Sequence, residues 1–129
     1  MNTEMQESCN RELDRLLQEA SEIIFANLSL LDGRTYAMSS LDRVDQQRIA
    51  ALSSSLLALS ESFAREVRGG LCSYVTVSME RGFLVTVRVP TEPGRYTLSL
   101  FVDNSANLAM ALRWALDAAK KLTTLLVSI

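Results

Sequence analysis

The amino-acid sequence predicts an α/β sandwich in which three helices pack on one five-stranded antiparallel sheet. The first observation is the order of hydrophobic periods along the chain: helix, two strands, helix, three strands, helix. The second is that short connections join the last three strands, which is typical of an antiparallel meander. Because no internal repeat and no linker interrupts the 129 residues, we expect a single domain over residues 1–129.

The first three elements follow from periodicity and one turn signal. From Glu4 to Ser21, apolar residues recur at spacings of three and four, which predicts an amphipathic helix. The next segment, Ile23 to Leu31, is predicted to be a strand. Asp32-Gly33 is a strong hairpin signal, and it leads into a second predicted strand over Arg34 to Met38.

A second helix is predicted from Val44 to Arg68, and its two faces differ in residue type. One face is apolar and is expected to be buried, whereas the opposite face is small and would let another helix approach closely. The alternative is that the small face is simply solvated. The apolar face comprises Ile49, Leu52, Leu56, Leu59, Phe63 and Val67. The small face comprises Gln47, Ala51, Ser54, Ala58, Ser62 and Arg65.

Three further strands and a last helix complete the chain. The strands are predicted over Leu71 to Met79, Phe83 to Val89 and Arg95 to Asp103. Pro90 and Pro93-Gly94 break the strand pattern between the last two. The last helix is predicted from Ala106 to about Leu122, and the apolar tail Thr123 to Ile129 is expected to extend it and to pack on the sheet or on a partner. Its expected inward residues are Leu108, Leu112, Ala115, Ala119 and Leu122, with Trp114 half-buried to one side.

Polar residues and glycines mark the predicted ends of the later helices. The candidates for capping the second helix are Ser40, Asp42 and Asp45. Gly69-Gly70 is expected to end that helix, because glycine readily adopts the left-handed conformation found there. The candidates for capping the last helix are Asp103, Asn104 and Ser105.

Composition argues against several classes of function. The sequence has no histidine, which removes the commonest general base and the commonest transition-metal ligand, so an enzyme, a metal and a cofactor are not expected. A net charge of -2 argues against binding to nucleic acid. No apolar run is long enough for a membrane span, which makes the cytoplasm the expected compartment. Cys9 and Cys72 are expected to be buried free thiols.

The third predicted strand suggests that the protein pairs with itself. Leu71 to Met79 contains no Lys, Glu, Pro or Gly, so at a sheet edge it would lack the usual protection against association. It directly follows the small-faced helix, and a two-fold contact could join strand to strand and helix to helix. The alternative is that this strand is central in the sheet.

Four stretches together resemble the Roadblock family, which includes the dynein roadblock light chains and the Roadblock partners of small Ras-like GTPases. They are Leu31-Asp32-Gly33, Asp42 to Leu59, Gly82-Phe83-Leu84 and Leu100 to Leu112. The specificity lies in their order and spacing, over about Ile23 to Leu122. The chain departs from the family's longer apolar first strand because Asn27 and Ser29 lie within it.

The resemblance implies a profilin-like fold with strand order 2-1-5-4-3, one helix on one face of the sheet and two on the other. It also implies a homodimer that joins two third strands into a ten-stranded sheet, with the two second helices forming a platform. The function implied is that of a non-catalytic regulator or scaffold of a small Ras-like GTPase, at most a GTPase-activating or modulating partner. Some bacterial family members activate GTPases without inserting an arginine finger.

The expected dimer or partner interface combines the small face of the second helix with the edge strand. Its residues are Gln47, Arg48, Ala51, Ser54, Ser55, Ala58, Ser62, Arg65, Cys72, Tyr74, Val75 and Thr76. Arg48 and Arg65 could contact an acidic patch of a partner, or they could be solvated. Two alternative functions stay open: a profilin-like sensor of a small ligand between sheet and helix, and a light-chain-like adaptor that binds a peptide at the Arg34 to Met38 edge.

Overall fold

The computed structural model describes residues 3–91 and 96–126, and it contains the eight predicted elements in the predicted order. The elements are α1 (Thr3–Glu19), β1 (Ile23–Leu30), β2 (Thr35–Ser40), α2 (Gln46–Glu66), β3 (Tyr74–Met79), β4 (Gly82–Val89), β5 (Tyr96–Asp103) and α3 (Leu108–Leu125). The predicted break at Pro93-Gly94, the predicted strand start at Arg95 and the last three residues of the tail lie outside the described residues.

The five strands form one antiparallel sheet in the order β2-β1-β5-β4-β3, which confirms the predicted topology. Helices α1 and α3 contact each other on one face of the sheet, and α2 packs alone on the other face. Strand β3 therefore lies at an edge, as its unprotected sequence suggested. It begins at Tyr74 rather than at Leu71, and the Leu71 side chain is 98% exposed.

The main core lies between the sheet and the α1/α3 layer. The sheet contributes alternating large residues to this layer, such as Leu28, Val85 and Leu100, each fully buried. Helix α3 meets them mostly through alanine, since small side chains let a helix sit close to a sheet that already fills the space. Its buried residues are Ala111, Ala115, Ala118, Ala119 and Leu122. Of the positions predicted to face inward, Leu108 is exposed and Leu112 is half-buried; Trp114 is half-buried as predicted.

The helix ends differ in part from the prediction. Asp45 is the cap of α2, where its carboxylate accepts the Arg48 N–H at 3.1 Å. Helix α3 is capped by Asn107, a residue that was not among the predicted caps. The Asp103 carboxylate is already engaged by the Ser105 N–H and hydroxyl, which form a turn before the helix begins.

The C-terminal end of α2 uses a residue other than the predicted glycines. Arg68 adopts the left-handed conformation with φ of 56°, and its N–H donates to the Arg65 carbonyl. The Gly69 N–H donates to the Ala64 carbonyl at 2.8 Å, so the helix ends in a Schellman-type arrangement. Gly70, two residues after Arg68, also has a positive φ.

The orientation of α2 was predicted wrongly. Its buried residues are Ala50, Ser53 and Leu57, which lie between the two predicted faces. Most of the apolar face is exposed to solvent, with exposed fractions of 59% for Leu52 and 69% for Phe63. The physical reason is the polar character of the sheet face beneath the middle of the helix.

Candidate protein-interaction site

The sheet face that α2 covers is largely polar. Adjacent strands place small polar side chains there, and Thr86 and Ser99 bond to each other through their hydroxyls at 3.0 Å. Such a surface accepts serine and alanine at close range, and it offers little apolar area for a row of leucines. The buried polar residues of this face are Asn27, Ser29, Thr86, Thr97 and Ser99.

The N-terminal half of the small face of α2 contacts the chain's own β1–β2 hairpin. The Gln47 side chain donates to the Gly33 carbonyl at 3.0 Å and accepts the Thr35 N–H at 3.2 Å. The Ser54 hydroxyl lies 3.3 Å from the Ser29 hydroxyl. Farther along the helix, Glu61 pairs with Arg88 of β4 at 2.6 Å. The Gln47 and Ser54 bonds hold this half of the small face against the hairpin, and the Glu61–Arg88 pair ties the helix to β4.

Three of the predicted interface positions therefore have an intramolecular role: Gln47 and Ser54 bond to the hairpin, and Ala51 packs on Gly33. A Cβ placed on Gly33 would lie 3.3 Å from the Ala51 Cα, so the hairpin and the helix are in close contact here. The sequence reasoning correctly saw a close approach on this face. Within the single chain the neighbour is the hairpin, because small residues alone do not identify what approaches them.

The other predicted helix positions lie on the outward side of α2 and are exposed. They are Arg48, Ser55, Ala58, Ser62 and Arg65. The only side-chain bond among them in the described residues joins the Arg65 guanidinium to the Ser62 hydroxyl at 3.0 Å. They form one strip along the exposed side of the helix, which we call the polar strip.

The exposed apolar face of α2 is the surface that the sequence reasoning missed. We call it the α2 stripe. Its exposed fractions reach 70% at Leu59 and 58% at Val67, whereas Ile49 and Leu56 are half-buried. A contiguous apolar row of this length on a small protein is typical of an interaction surface. The stripe consists of Ile49, Leu52, Leu56, Leu59, Phe63 and Val67.

The α2 stripe runs beside the β3 edge. At the C-terminal end of α2, a groove of about 450 Å³ separates Phe63 and Val67 from Tyr74, Val75 and Thr76 of the strand. Cys72 also lines this groove. The predicted interface residues on and before β3 thus lie at an accessible edge, and the stripe adjoins them.

At the other end of α2, the stripe borders an apolar cleft of about 380 Å³ between the helix and the sheet, which we call the α2 cleft. Its floor includes the stacked rings of Phe25 and Phe101, whose centroids are 5.9 Å apart. Leu52 and Leu56 of the stripe form one wall. The full lining comprises Ile24, Phe25, Asp42, Val44, Ile49, Leu52, Ser53, Leu56, Met79, Leu84 and Phe101.

The two edges of the sheet differ in how their backbone groups are satisfied. On β2, the Gln6 side chain donates to the Tyr36 carbonyl at 2.8 Å, and the Asn10 side chain accepts the Met38 N–H at 2.9 Å. Helix α1 therefore blocks this edge. Within the described part of the chain, no side chain bonds to the backbone of residues 75–79 on β3. The open edge is the one next to the α2 stripe.

No catalytic or metal-binding arrangement is found among the described residues. No group of three Cys, Asp or Glu side chains is placed to hold a metal ion in residues 3–91 and 96–126. No helix in these ranges is long and apolar enough to cross a membrane. Burial and the nearby Glu12 raise the pKa of Cys9 to about 11, and burial, followed by Tyr96 and Cys9, raises the pKa of Tyr36 to about 12. Both groups lie in the α1/α3 core.

One signal in the sequence could have identified the stripe. In the predicted strands, Asn27 and Ser29 alternate with apolar residues, and so do Thr97 and Ser99. A strand alternation that puts polar residues on one face predicts that the helix on that face cannot bury a full apolar row. The apolar face of the second helix would then have been assigned to a partner.

Comparison with known proteins agrees with this architecture. The Myxococcus xanthus MglB structure superposes with a TM-score of 0.84 at 19% identity, covering 99% of this chain and 97% of that one. A Roadblock/LC7 domain from Streptomyces avermitilis gives 0.80 at 22% identity, with coverages of 92% and 98%. Acanthamoeba castellanii profilin II gives 0.57 at 19% identity, with coverages of 89% and 96%. These likenesses show the fold.

Sequence comparison decides the family. No curated protein sequence matches the chain significantly. The model of the Roadblock/LC7 domain matches residues 10–91, which span α1 through β4 and include the hairpin, α2 and the β3 edge. Because this match covers well over half of the chain, the protein belongs to the Roadblock/LC7 family.

Proposed function

We propose that this protein is a homodimeric, non-catalytic regulator or scaffold of a small Ras-like GTPase. Family membership supports the general role, and so does the likeness to the MglB and MglC structures of Myxococcus xanthus. The observation that carries the dimer is the exposed α2 stripe beside the open β3 edge. The free thiols Cys9 and Cys72 accord with a cytoplasmic location.

The dimer proposed here joins two β3 edges about a two-fold axis perpendicular to the sheet. Identical edge strands related by such an axis run antiparallel, and together the two sheets form one of ten strands. The same operation brings the two α2 helices together through their stripes. Burial of Leu59 and Phe63 then supplies the apolar core that a stable interface needs.

The polar strip of α2 stays outside this dimer and is the proposed platform for the GTPase. The strip lies on the side of the helix that faces neither the sheet nor the stripe. Its cations Arg48 and Arg65 are exposed, and in the dimer each would occur twice on one continuous surface. Repeated cations of this kind favour an acidic patch on the partner.

The dimer is tested by light scattering. We expect a molar mass near twice 14.3 kDa for the wild type and near one chain for Leu59→Glu, because a buried carboxylate at the centre of the stripe has no partner. Ser55→Glu places the same charge on the polar strip and is expected to stay dimeric. A wild type that scatters as a single chain at micromolar concentration would overturn the dimer.

GTPase binding is tested separately with Ras-like GTPases of the same organism, each loaded with GDP or with a non-hydrolysable GTP analogue. We expect one of them to bind the wild-type dimer, and we expect Arg48→Glu with Arg65→Glu to reduce that affinity at least about tenfold without breaking the dimer. Hydrolysis measured with and without the dimer then distinguishes a regulator from a scaffold. If no GTPase binds in either nucleotide state, the regulatory proposal is wrong.

The structure favours one of the two alternative functions over the other. A peptide adaptor at β2 would have to displace Gln6 and Asn10 from the edge, which argues against it. A sensor of a small apolar ligand has a specific site in the α2 cleft. A thermal-shift screen with apolar compounds tests it, and a hit that is lost in Leu56→Trp would support that function.

A further inference from the structure

The α2 cleft is an apolar depression of about 380 Å³ that opens beside the stripe. Its lining is apolar except for Asp42 and Ser53, and Leu52 at its rim is 59% exposed. Apolar cavities offer water no hydrogen-bond partners and bind apolar groups. An apolar group that arrives from the side of the stripe therefore fits this cleft.

The spacing within the stripe points to a second copy of this chain as the source of that group. Leu52, Leu56, Leu59 and Phe63 are separated by four, three and four residues. This pattern is palindromic about the midpoint of Leu56 and Leu59. Two helices related by a two-fold axis at that midpoint run antiparallel, and each Leu52 then lies opposite the other chain's Phe63.

We infer that the α2 cleft of each protomer is completed by the partner's Phe63. This inference rests on the dimer described under the proposed function and adds its register and its central contact. Phe63 is 69% exposed in the single chain, and it lines the open groove beside β3. Its ring is therefore accessible to a neighbouring molecule. Leu56 and Leu59 meet on the axis between the two clefts.

Engineered disulfides test the register directly. The variant Leu52→Cys with Phe63→Cys, in a Cys72→Ser background, is expected to form covalent dimers under mild oxidation. The two new thiols are eleven residues apart on one helix, about 16 Å, so they cannot bond within a chain. Leu52→Cys alone and Phe63→Cys alone are the matched controls, because each residue would lie about as far from its own symmetry mate.

Sedimentation equilibrium gives an independent readout. Phe63→Ala is expected to raise the dimer dissociation constant about 100-fold or more. Because the dimer is symmetric, the substitution removes one buried ring from each of the two clefts. Leu116→Ala removes an apolar side chain of 42% exposure from α3, on the opposite face of the sheet, and is expected to change the constant less than threefold.

The outcomes separate this inference from the proposed dimer. A dimeric wild type with no cross-link in the double variant, and with equal dissociation constants for Phe63→Ala and Leu116→Ala, would overturn the Phe63 contact and leave the dimer standing. A monomeric wild type would overturn the dimer itself. Cross-linking by either single variant to the same extent as the double variant would show a different register and would also overturn the inference.

Discussion

Gly33 shows how a single residue fixes the distance between two elements. It has a φ of 85°, and a Cβ at this position would lie 3.3 Å from the Ala51 Cα of α2, which is a tight contact. A β-carbon there meets two obstacles: the left-handed conformation, which costs about 1–2 kcal/mol for a non-glycine residue, and the helix itself. At Gly82, where φ is 159°, a Cβ would lie 2.1 Å from the Val102 carbonyl oxygen, so the space itself excludes a side chain.

The effect of Gly33→Ala on stability can be separated into these two terms. Gly70 has the same φ of 85°, but a Cβ at this position would have no atom within 4 Å, so Gly70→Ala measures the conformational term alone. We expect Gly70→Ala to lower the free energy of unfolding by about 1 kcal/mol and Gly33→Ala by about 2–3 kcal/mol. Urea titrations at one protein concentration measure both. Equal losses would contradict the close contact between Gly33 and α2.

Cys9 is a residue whose environment predicts a pH dependence. Burial raises its pKa from 9.0 to about 11, so the folded chain retains the thiol proton at pH values where the unfolded chain loses it. The resulting stabilisation is fully present below pH 9 and is lost as the pH rises toward 11. Tyr36 acts in the same direction between pH 10 and about 12.

We therefore expect the melting temperature to be level from about pH 7 to 8.5 and to fall above about pH 9. In Cys9→Ala the fall should begin about one pH unit later, because only Tyr36 then contributes. Cys72→Ala serves as the matched control at a half-buried site outside the core. Melting curves recorded by circular dichroism from about pH 7 to 11 provide the measurement, and identical profiles for Cys9→Ala and the wild type would show that the thiol is not responsible.

At the scale of elements, α2 is held by its ends and one flank rather than by a wide apolar face. Asp45 caps its start, Gln47 ties it to the hairpin, and Glu61 pairs with Arg88. Only three of its residues are buried. An element anchored in this way keeps its apolar stripe available, because the contacts that position it do not use the stripe.

The capping bond of α2 is therefore expected to matter for stability. Asp45→Ala removes the acceptor of the Arg48 N–H, and we expect it to lower the free energy of unfolding by about 1 kcal/mol. Asp42→Ala, three residues earlier, removes an exposed carboxylate that does not cap the helix and should cost less than half as much. Chemical denaturation of the two variants side by side decides the point. An equal cost for both would mean that the assignment of the cap is wrong.

At the scale of the whole molecule, the helix layers on the two faces of the sheet differ in where their apolar residues lie. The α1/α3 layer contains the main hydrophobic core and blocks the β2 edge through Gln6 and Asn10. The α2 layer meets the middle of the sheet through small and polar residues, borders an apolar cleft at one end, and faces outward with apolar residues. One layer stabilises the fold, and the other is available for association.

The sequence by itself determined the element order, the strand topology through the family pattern, and the edge position of β3. The element order follows from local periodicity and turn residues, and the edge position of β3 accords with the lack of edge protection in the Leu71 to Met79 segment. The strand order itself came from the resemblance to the family. The family pattern also predicted that α2 carries the interaction surface, which stays a prediction until the dimer is tested.

The tertiary structure alone decided which face of that helix is buried. Helical periodicity shows that Leu52, Leu59 and Phe63 share a face, but burial depends on the surface that the helix meets. Here that surface is the polar side of the sheet, with Asn27 and Ser29 at its centre, and it takes the small residues instead. The apolar stripe faces outward because the burial of a hydrophobic side chain depends on the surface that it would contact as well as on its own residue type.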